Sequence, residues 1–172
     1  GGQLSAVYAL WWRGGMAVRI SEGLGALEEG VIIRDCEPEL ILVDDSMAGQ
    51  VREYSPDVPV VRFRDIETDD GETASLPLHQ GEADDVAALI YTSGSTGMPK
   101  GVMLTHRNFA VNAASALEMI ELEKDDSIMS LLPYWHSFAL VVEVVMVLMV
   151  GCRIIIPKDK RDFRRNIGLY KP

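Results

Sequence analysis

A chain of 172 residues with a formal net charge of −10 is a poor general partner for nucleic acid or an anionic membrane. Its apolar content of 48% suffices for a real core, and a chain of this size buries roughly 70% of its unfolded surface. Cys36 and Cys152 lack metal-type spacing and read as reduced, buried thiols. The start at Gly1-Gly2-Gln3 without an initiator Met, and the stop at Lys171-Pro172, lead us to expect a segment of a larger protein. No signal peptide is visible. The most apolar run, residues 138–152, carries Glu143 and is about 15 residues long. That is short of the ~20 a membrane span needs, so a buried helix is expected.

Taken in order, residues 4–12 read as the tail of a buried helix ended by Gly14-Gly15. Residues 16–20 read as a strand. Residues 27–36 carry Leu27, Val31 and Ile32 with Glu28 and Glu29 early and Arg34 late, an amphipathic helix whose charges oppose its dipole. Pro38 closes it. Residues 40–43 form a buried strand, Ser46 caps a short helix to about Tyr54, and residues 58–63 form the next strand. Strands alternating with helices at this spacing predict βαβ units. Residues 64–85 hold eight acidic residues and little apolar periodicity, which predicts an acidic surface connection.

Residues 86–92 read as a strand, followed by a glycine-rich turn and a second strand over 101–105. Residues 106–122 place Phe109, Ala113, Ala116, Leu117 and Ile120 on one helical face, with Thr105 as the cap. A strand over 128–132 ends at Pro133, and an apolar helix runs to Val150 and stops at Gly151. A strand over 153–156 and an amphipathic helix over 162–170 complete the chain. The fold class is therefore α/β, with mixed or parallel sheets and flanking helices.

The turn between the two central strands concentrates the chemistry. From Thr92 to Lys100 it holds hydroxyl residues, Gly94, Gly97 and a lysine, and no Asp or Glu occurs between Val86 and Leu117. Lys100, Arg107 and His106 are the only candidate charges in that window. Glycine permits close backbone approach to a ligand, and successive N–H groups in such a turn form a nest for phosphate oxygens. It is not a Walker P-loop, because Pro99 precedes Lys100 and Gly101 follows it. It is not a nucleophile elbow, because no Gly-x-Ser-x-Gly occurs.

The run Thr92-Ser93-Gly94-Ser95-Thr96-Gly97-Met98-Pro99-Lys100-Gly101 resembles the signature of the adenylate-forming (AMP-binding) superfamily, without departures. Arg13-Gly14-Gly15-Met16-Ala17-Val18, Cys36-Glu37-Pro38-Glu39-Leu40-Ile41-Leu42-Val43 and Asp84-Asp85-Val86-Ala87-Ala88-Leu89-Ile90 resemble other segments of its large domain. Leu132-Pro133-Tyr134-Trp135-His136-Ser137-Phe138 resembles the family's aromatic–histidine segment beside the carboxylate substrate. Trp135-His136-x-Phe138, with Glu143 further on, is most similar to long-chain fatty acyl-CoA synthetases. Ala139-Leu140-Val141 stands where that branch commonly has an Arg-rich spot.

The resemblance implies that residues 1–172 are part of an adenylate-forming N-terminal domain, with 64–85 as a connection within it. It implies a ligase that uses ATP and Mg2+ to convert a carboxylate, a long-chain fatty acid on this reading, to an acyl-adenylate, and then transfers the acyl group to coenzyme A. Thr92, Ser93, Gly94, Ser95, Thr96, Gly97 and Lys100 would hold the phosphates, Thr96 the metal, and Trp135, His136 and Ser137 the carboxylate. Lys100 and His136 would be catalytic. The segment alone is expected to be inactive, and the parent cytoplasmic, with peripheral membrane association left open. The alternatives are a non-catalytic nucleotide- or acyl-binding module, and an adenylation domain for another carboxylate such as an amino or aryl acid.

Overall fold

The computed structural model describes residues 2–21, 23–67, 77–93, 99–133 and 135–170. The chain divides into two compact units, Gly1–Gly81 with Tyr91–Val102, and Glu82–Ile90 with Met103–Pro172. Among the described residues the strands form three small sheets, ordered β1-β4-β5, β2-β3 and β6-β7. The α/β class expected from the alternation of periods is the one observed.

In the first unit, helix α1 (Gly2–Trp12) buries Leu4 and Val7. Gly15 N–H donates back to Leu10 O at 2.8 Å. Gly14 sits at φ 77°, a left-handed value that a residue without Cβ reaches freely. Strand β1 (Ala17–Arg19) follows. Helix α2 (Ala26–Cys36) has Glu28 and Glu29 in its first turn and Arg34 in its last, matching the macrodipole at both ends. Glu28 also accepts from Gly25 N–H at 3.1 Å. Glu37 turns left-handed at φ 43°, just before Pro38.

Strands β2 (Ile41–Val43) and β3 (Val60–Arg62) are parallel, with Ile41 opposite Val60 and Val43 opposite Arg62. Helix α3 (Ala48–Tyr54) is the crossover between them, as a parallel pair requires. Val43, Ala48 and Val51 form the core of this βαβ unit, with Ile41, Met47 and Val60 packed on it. The expected Ser46 cap is not seen. The helix begins after Met47, no side chain caps it, and Met47 N–H donates to Asp44 O in a preceding turn. The strand also ends earlier than expected, because Phe63 opens a short helix, α4 (Phe63–Glu67). Arg62 holds Asp65 through two contacts at 2.7 and 2.9 Å. Residues 64–67 of the expected connection are thus helical, and residues 68–76 of it lie outside the described residues.

Strands β4 (Val86–Ser93) and β5 (Pro99–Thr105) run through both units. Residues 94–98 are too few for a parallel crossover, so the pair is antiparallel. Strand β5 starts two residues earlier than expected. It is an edge strand, where Pro99 at the first position withholds no needed donor.

In the second unit, helix α5 (His106–Leu117) is capped as expected. Thr105 Oγ1 accepts from Asn108 N–H at 3.2 Å, and Asn108 Oδ1 accepts from Thr105 N–H at 2.9 Å. It ends at Leu117, short of Leu122, where Met119 and Ile120 N–H both fold back to Ala116 O. Strands β6 (Ser127–Met129) and β7 (Arg153–Ile155) are parallel, Ile128 opposite Ile154. Their crossover is a continuous helical stretch: α6 (Ser137–Ala139), a π-helical segment (Leu140–Val145) and α7 (Met146–Val150). It stops at Gly151, φ 75°. Helix α5 packs on the π-helical segment, and Phe109, Ala113, Leu140, Val144 and Met146 are buried. Helix α8 (Lys160–Tyr170) closes the described chain. No helix among the described residues is long and apolar enough to cross a membrane. Burial raises both thiols above their ordinary value of 9.0, with Cys152 buried and Cys36 only half-buried.

Candidate functional site

One candidate region lies where β4 ends and β5 begins, in the first unit. Thr92 is exposed at the end of β4, and Lys100 is exposed on β5. Among the described residues Lys100 makes no ion pair. Ser93 is the last residue of β4, while Gly94, Ser95, Thr96 and Gly97 lie outside the described residues. The expected metal contact at Thr96 falls there too. Among the described residues no acidic, His or Cys cluster could hold a metal ion.

The strand leading into the turn is tethered. Tyr91 Oη donates to Asp35 Oδ2, in the last turn of α2, at 2.5 Å. Partial burial first, then the hydrogen bond and the charge of Asp35, push this phenol well above its ordinary value of 10.0. The partners are 56 residues apart, and no local pattern in the sequence reveals the pair.

In the second unit, the start of β4 is stitched to the start of α5. Arg107 Nε and Nη2 donate to the two oxygens of Asp84 at 2.7 and 3.1 Å. His106 N–H donates to Asp85 O and Arg107 N–H to Ala83 O. Arg107, read from the sequence as a charge available in the acid-free window, is therefore engaged by an acid from just outside it. The hydrogen bond from Arg107, and then its charge, holds the Asp84 carboxyl below its ordinary value of 3.8. A depressed carboxyl stabilises the fold above its unfolded value, and that contribution is lost as the pH falls through the folded value. Asp84→Asn should therefore lower the melting temperature near neutrality, and the gap to wild type should close as the pH drops below 3.8. Melting curves across that range at low and high salt are the check, and salt should narrow the gap because the pair is exposed.

A further candidate region, in the second unit, follows β6. Ser130 N–H still bonds Ile155 O at 2.8 Å, but the ladder then ends, earlier than the strand predicted to Leu132. Leu131 and Leu132 turn their N–H groups to Glu143 Oε1, at 3.0 and 3.1 Å. His136 N–H donates to Pro133 O at 3.0 Å, closing a tight turn. His136 occupies the N-cap of α6, with Nδ1 accepting from Phe138 N–H at 3.5 Å. With Nδ1 as an acceptor, a neutral ring carries its proton on Nε2. His136 is exposed, and Trp135 and Ser137 are half-buried. Trp135, His136 and Ser137, consecutive in the sequence, stand on one turn at the head of this helix. An open cleft of about 390 Å³ at the carboxyl ends of β6 and β7 is lined by Ser130, Leu131, Leu132, Ile156, Pro157, Asp159 and Phe163.

The family described as AMP-binding enzyme matches residues 3–171. The chain is 31% identical over 152 residues to 4-coumarate–CoA ligase 1 of Solanum tuberosum, covering 77% of this chain and 27% of that protein. It is 36% identical over 115 residues to the long-chain-fatty-acid–AMP ligase FadD32 of Mycolicibacterium smegmatis, covering 64% of this chain and 18% of that protein. The crystal structure of ATP-bound MatB from Rhodopseudomonas palustris superposes with a TM-score of 0.84 at 25% identity, over 98% of this chain and 35% of that one. The chain spans about a quarter of the length of the coumarate ligase, or less in the fatty-acid ligase.

Proposed function

The chain belongs to the AMP-binding enzyme family, and from that premise we propose that the protein carrying it uses ATP to activate a carboxylate as an acyl-adenylate, releasing pyrophosphate. The observation that carries this reading is Lys100, an exposed cation that makes no ion pair among the described residues, at the edge of a glycine- and hydroxyl-rich turn in an acidic chain. In-line attack by a carboxylate on a phosphorus asks mainly for placement and for cover of the charge on the leaving group. Thr92 to Lys100 would grip the phosphates, with Lys100 bearing on the departing pyrophosphate. Mg2+ would accompany the ATP, with Thr96 as its contact. Trp135 and Ser137 would border the carboxylate, with His136 Nε2–H as a donor toward it. The acyl group would then pass to the thiol of coenzyme A. We place the protein in the cytoplasm, with peripheral membrane association as an open part of the proposal.

For the acyl group we favour a long-chain fatty acid. Trp135-His136-x-Phe138 followed by Glu143 supports this choice, as does the similarity to the mycobacterial long-chain-fatty-acid–AMP ligase. An aryl acid is the second reading, favoured by the coumarate ligase whose match covers 77% of this chain at 31% identity. Pyrophosphate exchange by the full-length protein against fatty, aryl and amino acids tests both. Exchange dependent on one class identifies the substrate. No exchange with any carboxylate leaves a binding module and overturns the proposal. Residues 1–172 alone are expected to give no turnover.

A further inference from the structure

Glu143 is the only charged residue of the helical crossover that joins β6 to β7, and it is 2% exposed. A buried carboxylate is costly unless its oxygens are satisfied. A leucine would fill such a position on a packed helix without that cost. Ser130 Oγ, at the end of the β6 ladder, donates to Oε2 at 2.6 Å, and Leu131 and Leu132 N–H donate to Oε1. The last two donors belong to a strap, residues 131–133, that has left the ladder. Its side chains do not anchor it, since Leu131 is 62% exposed, Leu132 37% exposed, and Pro133 exposed. What fixes the strap is Glu143. The strap in turn fixes the histidine, because Pro133 O takes the N–H of His136. The loop is closed at its other end, where His136 O accepts from Leu140 N–H at 3.3 Å. Glu143 lies in the π-helical segment, a wider turn that recurs at functional sites.

Resting on the proposed adenylation reading, we propose that Glu143 is a positioning residue for the carboxylate-binding region: it holds residues 131–133, and through Pro133 the Trp135-His136 turn, in the arrangement that receives the acyl substrate. It touches no reacting atom itself. A displacement of about 1 Å in such a support is enough to lower turnover by ~10²-fold, so the effect should appear on one substrate and not the other.

The test uses the full-length enzyme, with Glu143→Met as a side chain of similar volume that accepts from no N–H. Steady-state pyrophosphate release should show kcat/KM for the carboxylate falling about tenfold or more, while KM for ATP stays within about twofold. Glu143→Gln should restore the carboxylate parameters to within about threefold, because its amide oxygen accepts from Leu131 and Leu132 while its NH2 donates to Ser130 Oγ. Ser130→Ala, which removes one donor and leaves the fold's apolar contacts intact, should shift the carboxylate KM in the same direction by a smaller factor. It decides the matter if Glu143→Met does not fold. An unchanged carboxylate kcat/KM in a folded Glu143→Met or Ser130→Ala enzyme overturns the proposal, as does a parallel loss on ATP and carboxylate that Gln fails to rescue. A wild-type enzyme that exchanges pyrophosphate with no carboxylate overturns the adenylation reading and this proposal with it, and so is distinguished from failure of this proposal alone.

Discussion

Lys100→Ala in the full-length protein should slow pyrophosphate release by about 10²- to 10³-fold, the usual effect of losing one preorganised donor at a charge that develops in the transition state. The side chain is exposed and makes no ion pair among the described residues, so its removal breaks none there. The melting temperature should therefore stay at the wild-type value, in keeping with the roughly ±0.5 kcal/mol typical of surface substitutions. Activity and stability should separate. KM for the carboxylate should also change little, since Trp135 and His136, not Lys100, are assigned to that substrate. Lys100→Arg keeps the charge and changes its shape, and should recover part of the rate. Pyrophosphate release and thermal melts on the three proteins are the measurement. Equal adenylation by Lys100→Ala would remove Lys100 from its role while leaving the family assignment intact.

What was legible in the sequence follows the range of the forces involved. Both ends of α2 and the start of α5 were visible, because caps and dipole charges such as Thr105, Glu28 and Arg34 act within one turn. The turn after β4 was visible because glycine, hydroxyl and lysine choices all answer to one ligand. Features decided by distant partners were not. The β6 strand was overestimated because Leu131 and Leu132 look like strand residues, while their N–H groups are claimed by a carboxylate eleven or twelve residues on. Arg107 looked available because Asp84 lies 23 residues away. Tyr91 showed no sign of its bond to Asp35. Local rules also failed at α3, where Ser46 has the chemistry of a cap but a turn from Asp44 to Met47 delays the helix. The π-helical segment left no trace either, since an apolar run reads the same at any helical pitch.

Leu140 is where that segment matters most for stability, and Leu140→Ala should destabilise the fold by about 2–5 kcal/mol. The side chain is fully buried, at 0% exposed, as are Val144 on the same segment and Ala113 on the helix packed against it. Truncation there removes apolar contact in a packed interior and leaves a cavity that the surroundings close only in part. Leu140→Met conserves volume and should lose less than about 1.5 kcal/mol. Urea unfolding at fixed pH gives both numbers, and an unchanged slope with a lowered midpoint identifies a loss of native packing. The same change should reach the site only weakly. Leu140 N–H bonds His136 O through the backbone, which alanine preserves, and Glu143 keeps its three donors. Folded Leu140→Ala enzyme should then retain its carboxylate KM, whereas Glu143→Met, on the same helical segment, should not. The contrast separates the residue that holds the helix in the core from the residue that uses the helix to hold the strap.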